Sequence, residues 1–204
     1  MNIDLSTLSP QSVYSRLVQT VVPRPVAWVL SLNEDGSHNL APFSFFNAVC
    51  SDPPLMMLSI GLKPDGSEKD TRVNVRERDH FVIHIAHREL AHPLSESSAT
   101  LPAGESEVDN LGLRTHPFPG SPLPRLADCR VAFACQRYEM REIGPTRQAL
   151  ILGRVTRMYV DDEILNQTEP GKLRVAAERL DPIGRLGGSE YVTFGDKLTI
   201  RRPP

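Results

Sequence analysis

Between Val22 and Gly61 the apolar residues fall into short runs separated by turn-forming clusters. "RPVAWVLSL" is apolar almost throughout and too short for a helical stripe, which predicts a strand buried on both faces. "NEDGS" follows it, and Asp35-Gly36 is a hairpin signal. "HNLAPFSFFNAV" and then "PLMMLSIG" (ending Leu55 to Gly61) predict two further strands, so this region reads as an antiparallel meander. Upstream, Ser9 to Gln19 reads as a short helix with Ser9 as cap and Pro10 in the first helical position.

Downstream the period changes. "KDTRVNVRERD" predicts a helix capped by Asp70 or Thr71, with Val73 and Val75 giving it only a narrow apolar side, and "HFVIHIA" returns to a strand. Arg88 to about Leu111 is helix and loop, and the proline-rich "HPFPGSPLPRL" (His116 to Leu126) is a surface connection. "DCRVAFACQRYEMREI" and "QALILGRVTRMYVDDEIL" predict two long strands, and "ERLDPIGRLGGSEYVTFG" a glycine-rich, irregular tail. Six or so antiparallel strands with inserted helices predict a mainly β protein: a β-barrel with inserted helices, in one domain over residues 1–204, its core at about 22–195 and a helix/loop excursion at 88–126. A sandwich is the alternative.

Composition narrows the function classes. Hydrophobic residues make up 40% and charged residues 24% of the 204, so a core of ordinary size is expected. A net charge of −2 gives no electrostatic reason to expect nucleic acid or an anionic membrane. No apolar run reaches the roughly 18 residues of a bilayer span, and "MNIDLSTLSPQSVY" lacks the regions of a signal peptide. A cytoplasmic protein is expected on those two grounds. Cys50, Cys129 and Cys135 form no C-x-x-C, so buried thiols are expected rather than a zinc site. His80, His84 and His87 have ligand-like separations, but 87 falls beyond the strand that carries the other two. No Ser–His–Asp set can be assembled from spacing.

Three stretches carry candidate chemistry. "LAPFSFFNAVCSDPP" mixes Ser44 and Asn47 with phenylalanines, Pro42 removes a main-chain donor, and Pro53-Pro54 stops the ladder. This is how a strand at a barrel mouth, lining a small-molecule pocket, would be written; an ordinary strand with Ser44 and Asn47 facing water is the alternative. In "DGSEKDTRVN" a glycine loop runs into a helix opening with Lys69, Asp70 and Thr71. Free helix N–H groups beside a lysine and a hydroxyl suit phosphate, although the stretch is not a P-loop and a plain capped surface helix also fits. In "DPIGRLGGSEY", Gly187-Gly188 permits close backbone approach beside Arg185 and Tyr191; a simple loop also fits.

Together these stretches closely resemble the flavin reductase-like family, in its longer, flavoredoxin-like members. The matching features are the R-P-x-A strand, the acidic-Gly hairpin, "NLAPFSFFN", the D-P-P stop, "KDT…N" and "LDPIGRLGGSEY", in the same order from Val22 to Gly195. The resemblance implies an FMN-binding split β-barrel. On that carry-over Ser44, Phe45, Phe46 and Asn47 flank the isoalloxazine, and Ser59, Ile60 and Gly61 run by the ribityl chain. Lys69, Asp70 and Thr71 hold the phosphate with Asn74 nearby. Arg185, Gly187, Gly188 and Tyr191 close over the site, and Arg24 is a further candidate for the flavin's charged end. No catalytic side chain and no metal are implied, because hydride passes directly between stacked nicotinamide and flavin rings.

The implied activity is that of an FMN-dependent oxidoreductase, an NAD(P)H-dependent flavin reductase supplying or using reduced FMN. A flavoredoxin-like electron carrier without its own NAD(P)H oxidation and a non-catalytic flavin-binding protein are the alternatives. A homodimer is implied, with a monooxygenase or another electron-acceptor protein as partner. The sequence departs from the family pattern at His84, where Asn is usual, and near Gln148, where many reductases carry a His. The second departure bears on nicotinamide use more than on FMN binding.

Overall fold

In the computed structural model, which describes residues 1–102, 105–166, 173–201 and 203, the predicted capping forms the first helix. Ser9 accepts a hydrogen bond from Ser12 N–H, Pro10 takes the first position, and helix α1 runs Pro10–Thr20. Strands β1 (Arg24–Pro25), β2 (Ala27–Leu32), β3 (His38–Phe43), β4 (Phe46–Ser51) and β5 (Pro54–Ile60) follow. Helix α2 (Asp70–Arg78) leads into β6 (His80–Ile85), and α3 (Ala91–Glu96), α4 (Glu107–Asn110), β7 (Thr115–His116) and β8 (Arg125–Leu126) make up the excursion. The long strands β9 (Val131–Ile143) and β10 (Gln148–Val160) precede α5 (Ala177–Leu180), β11 (Gly184–Arg185) and β12 (Tyr191–Val192).

Seven strands form one antiparallel sheet in the order β3-β2-β6-β9-β10-β5-β4. Its two edge strands are consecutive in sequence, so the sheet must curl until its ends meet. They meet at the Ser44-Phe45 bend, where Ser59 N–H donates to the Phe45 carbonyl at 2.9 Å. Among the described residues no ladder joins β3 to β5. The barrel is split there, and that seam is where a ligand can reach main chain. The stretch read as one strand from His38 to Val49 is therefore two. Local alternation cannot reveal such a break, because both halves are equally strand-like.

The apolar runs supply two cores. Ala27, Val29, Phe43, Phe46, Leu58, Ile60, Phe81, Ile83, Cys135 and Ile151 come from all seven strands of the sheet and, with Val75 of α2, fill the barrel. Trp28, Leu30, Val82 and Leu126 point the other way and pack beneath the excursion with Leu94, Val108, Phe118 and Leu123. β2 is thus covered on both faces, which is why "AWVL" does not alternate. The proline-rich 116–126 connection is more than surface: its Phe118, Leu123 and Leu126 are buried. The tail also departs from the irregular reading, since β11 pairs with β1 and β12. Among the thiols Cys129 and Cys135 are buried as expected, but Cys50 is exposed on edge strand β4. Among the described residues no helix is long and apolar enough to cross a membrane.

His84 is fully buried between the two layers. Its Nδ1 lies 3.0 Å from the Trp28 carbonyl, and its Nε2 lies 2.9 Å from Leu126 N–H, which can only donate. The ring is therefore neutral with its hydrogen on Nδ1, and burial pushes its pKa down to about 4. Above about pH 6.5 folded and unfolded chains both carry neutral histidine. Between there and about pH 4 only the unfolded chain takes up the proton, so stability falls as pH falls. The whole window is worth about 3 kcal/mol. His84→Asn offers a non-titrating donor and acceptor. Its stability deficit against the parent, read from denaturant midpoints, is expected to narrow from neutral to mildly acid pH. Parallel loss in the two proteins would refute the neutral-histidine account.

Candidate functional site

The register of β3 explains its proline. Ser31 and Asn39, and Val29 and Ala41, face each other across the β2–β3 ladder, while the main-chain groups of His38, Leu40 and Pro42 turn away from it. The His38 carbonyl accepts from Ser106 Oγ at 2.7 Å, and Leu40 N–H donates to the Glu107 carboxylate at 2.8 Å. Pro42 has the same outward parity, so its missing N–H costs no ladder bond. The edge expected from the sequence is real.

Two adjoining cavities occupy the seam. One, of about 340 Å³, is walled by Tyr14, Ser44, Phe45, Ser59, Gly61 and Gln148. The other, of about 540 Å³, reaches Asn39, Lys63, Asp70, Thr71 and Glu107, and the two share Pro42, Phe43, Leu62 and Lys69.

The larger cavity ends on the N-terminus of α2. The capping residue is Lys69, not Asp70 or Thr71, and no side chain caps the helix. Arg72 N–H and Val73 N–H both turn back to the Lys69 carbonyl, which leaves the first-turn amides of Asp70 and Thr71 outside the helical ladder. Lys69 Nζ stands 5.6 Å from the Phe43 ring centre. Burial, and secondarily Lys63, hold its pKa below that of an ordinary lysine. Asp70 is ion-paired with Lys63 at 3.0 Å, which offsets its repulsion of an incoming anion. Thr71 is buried and accepts from Asn39 Nδ2 at 2.8 Å. Asn74 does not line either cavity; its Nδ2 donates to Asn33 Oδ1 and Ser31 Oγ beneath the helix.

The smaller cavity is aromatic and amide-lined. The Phe45 and Tyr14 rings lie 6.1 Å apart, tilted by 49°. Strand parity sorts the remaining predicted residues. Ser59 and Gly61 face the cavity while Ile60 and Phe46 point into the barrel. Asn47 is exposed on β4, its Oδ1 accepting from Ala48 N–H. Gln148 Nε2 donates to Ser59 Oγ at 3.0 Å, and its Oε1 lies 3.1 Å from where a Cβ on Gly61 would stand. Any side chain at 61 would push that amide aside.

Arg24 and the tail sit behind this site. Buried Arg24 donates to the carbonyls of Val18, Val21 and Leu186 and to Ser44 Oγ, so its guanidinium ties α1, the tail and the β3–β4 bend together. Arg185 stacks 4.4 Å from the Tyr191 ring centre and donates to the Gly188 carbonyl. Gly187 lies so close to α1 that a Cβ would meet Gln19 Cγ at 2.8 Å. None of these tail residues lines the seam cavities. Tyr14, Leu62, Lys63 and Glu107 do line them and were not singled out from sequence, since nothing local distinguishes a site tyrosine from any other on an amphipathic helix.

Comparison with known proteins identifies the fold and the family. A family model described as flavin reductase like domain matches residues 19–176. A protein of Halalkalibacterium halodurans is 35% identical over 208 residues, covering 100% of this chain and 97% of its own. Nitrilotriacetate monooxygenase component B from Bacillus cereus superimposes with a TM-score of 0.90 at 30% identity, over 98% of each chain. The 2-nitrobenzoate 2-nitroreductase NbaA of Pseudomonas fluorescens gives 0.88 at 30% identity, over 100% of this chain and 96% of its own.

Proposed function

The chain belongs to the flavin reductase-like family, and from that membership we propose that it binds FMN along the barrel seam and works as an NAD(P)H-dependent flavin reductase. The carrying observation is that two adjoining cavities, sharing Pro42, Phe43, Leu62 and Lys69 in their walls, offer a phosphate-suited end at Lys69, Thr71 and the α2 amides and an aromatic end at Tyr14 and Phe45. The residues present fit the cofactor. Lys69 and the helix N-terminus suit a phosphate dianion. Ser59, Gly61 and the outward backbone of β3 suit a hydroxylated chain and a heteroaromatic edge.

FMN supplies the hydride chemistry when bound. The protein's part is placement: Phe43, Phe45 and Tyr14 keep water from one side, Gln148 and Ser59 hold a fixed amide–hydroxyl pair beside the ring's place, and no side chain need exchange a proton. Gln148, an amide that does not titrate, keeps a second reading alive: an electron carrier that does not itself oxidise NAD(P)H. β4 supports a homodimer, because Asn47 to Ser51 are exposed on an uncharged edge strand that natural proteins usually cover. The likeness to a monooxygenase component B makes a monooxygenase a reasonable acceptor of the reduced flavin.

An absorbance spectrum of the purified protein, followed by FMN titration, tests the binding. Flavin bands or saturable binding are expected, and a colourless protein indifferent to FMN would sink the proposal. NADH and NADPH oxidation, with and without added FMN, then separates reductase from carrier.

A further inference from the structure

A chain of buried amides and hydroxyls runs from the underside of α2 to the cavity wall; Arg78 sets its polarity as far as Ser31, and Asn39 turns its Nδ2 toward the hydroxyls on either side. Arg78, which can only donate, gives a hydrogen bond to Asn74 Oδ1 at 3.3 Å. Asn74 Nδ2 must then be the group that faces Asn33 Oδ1 at 2.8 Å and Ser31 Oγ at 3.1 Å. Asn39 Nδ2 continues the chain, 3.3 Å from Ser31 Oγ and 2.8 Å from Thr71 Oγ1. Ser31, Asn39, Thr71 and Asn74 are all buried. An amide nitrogen cannot accept, so Thr71 receives from Asn39 and its own hydroxyl hydrogen must go elsewhere. Thr71 lines the larger cavity beside Lys69.

From this we infer that Asn39 is a positioning residue that holds the Thr71 hydroxyl as a fixed donor into the cavity, and so makes the site select phosphorylated flavin over its unphosphorylated form. The inference rests on the FMN reading above and deepens it. A hydroxyl free to rotate serves water and anion alike. One that already accepts from a fixed amide has its hydrogen turned away from that amide, toward an acceptor in the cavity, and a phosphate monoester dianion presents only acceptors. Asn39 lines the same cavity but acts through Thr71, and Ser31, itself held by Asn74, fixes Asn39 in turn.

The test is a double-mutant cycle read as the ratio of FMN to riboflavin affinity, each measured by fluorescence titration of the full chain. Asn39→Asp replaces the donor with an acceptor that draws the Thr71 hydrogen away from the cavity. It is expected to lower FMN affinity about tenfold or more, with riboflavin affinity changing less than about twofold. In the Thr71→Val background the same replacement is expected to lose most of its effect, leaving only charge repulsion. An equal effect in both backgrounds would reduce Asn39 to an electrostatic bystander and overturn the inference, and so would a parallel loss of FMN and riboflavin. If Asn39→Asp does not fold, Thr71→Ser is expected to keep the parent's FMN preference and Thr71→Val to lose it; equal preference in the two would overturn the inference. A parent protein that binds neither flavin overturns the FMN reading itself, and this inference with it. Parent binding with an unaltered ratio in Asn39→Asp overturns the inference alone.

Discussion

Replacing Lys69 with glutamate is expected to weaken FMN binding by at least about a hundredfold while leaving riboflavin binding nearly unchanged. Lys69 is the cation that both seam cavities share, and it is partly withdrawn from water, where an ionic hydrogen bond counts for more. A charge-assisted bond to phosphate is worth about 1.5–3 kcal/mol, and the glutamate adds repulsion of a dianion to the loss. The lowered pKa of Lys69 also sets a pH dependence. As pH rises through that pKa in the free protein the ammonium is lost, so FMN affinity is expected to decline at a lower pH than an ordinary lysine at about 10.4 would dictate. Lys69→Arg stays charged and should show a flat profile over the same range. A riboflavin loss as large as the FMN loss, in Lys69→Glu, would place Lys69 away from the phosphate.

Arg24→Ala is expected to be strongly destabilising, by about 3 kcal/mol, because it leaves several buried acceptors without a donor. The guanidinium serves three carbonyls on two separate segments as well as Ser44. Two of them, Val18 and Val21, lie at the C-terminal end of α1, where a cation also complements the helix dipole. Arg24→Lys should rescue little, because a single ammonium cannot span the positions a planar fork reaches. Tyr14 rides on α1 and Ser44 sits at the bend, so FMN affinity should fall along with stability. Denaturant unfolding decides the matter, and a loss below about 1 kcal/mol would mean that the segments are held by other contacts.

That role for Arg24 was not legible in "RPVAWV". An arginine opening a strand before a proline looks the same whether it reaches a ligand or ties carbonyls from segments far along the chain. The same holds for Asn74, which the resemblance put near the phosphate and the fold turned toward Ser31 and Asn33. It holds for Gly153 as well, where a Cβ would stand 2.4 Å from Phe81 Cζ, on a strand two places away in the sheet. By contrast, the hairpin at Asp35-Gly36, the Ser9-Pro10 helix start, the edge character of the strand carrying Pro42 and the lysine–hydroxyl opening of α2 were all readable, as was the family.

The sequence alone determined what depends on near neighbours: which segments are strands, where turns fall, which helix begins with phosphate-suited groups. The resemblance kept Ser59, Ile60 and Gly61 together, and the packed barrel separated Ile60, which points inward, from the other two. Only the tertiary structure decided that the chain breaks at Ser44-Phe45, that Tyr14 and Gln148 join the seam, and that the glycine tail packs behind it. Those outcomes turn on which strand edges meet when the sheet curls, and curling is set by the summed twist and the packing of side chains distant in sequence, which no short stretch encodes.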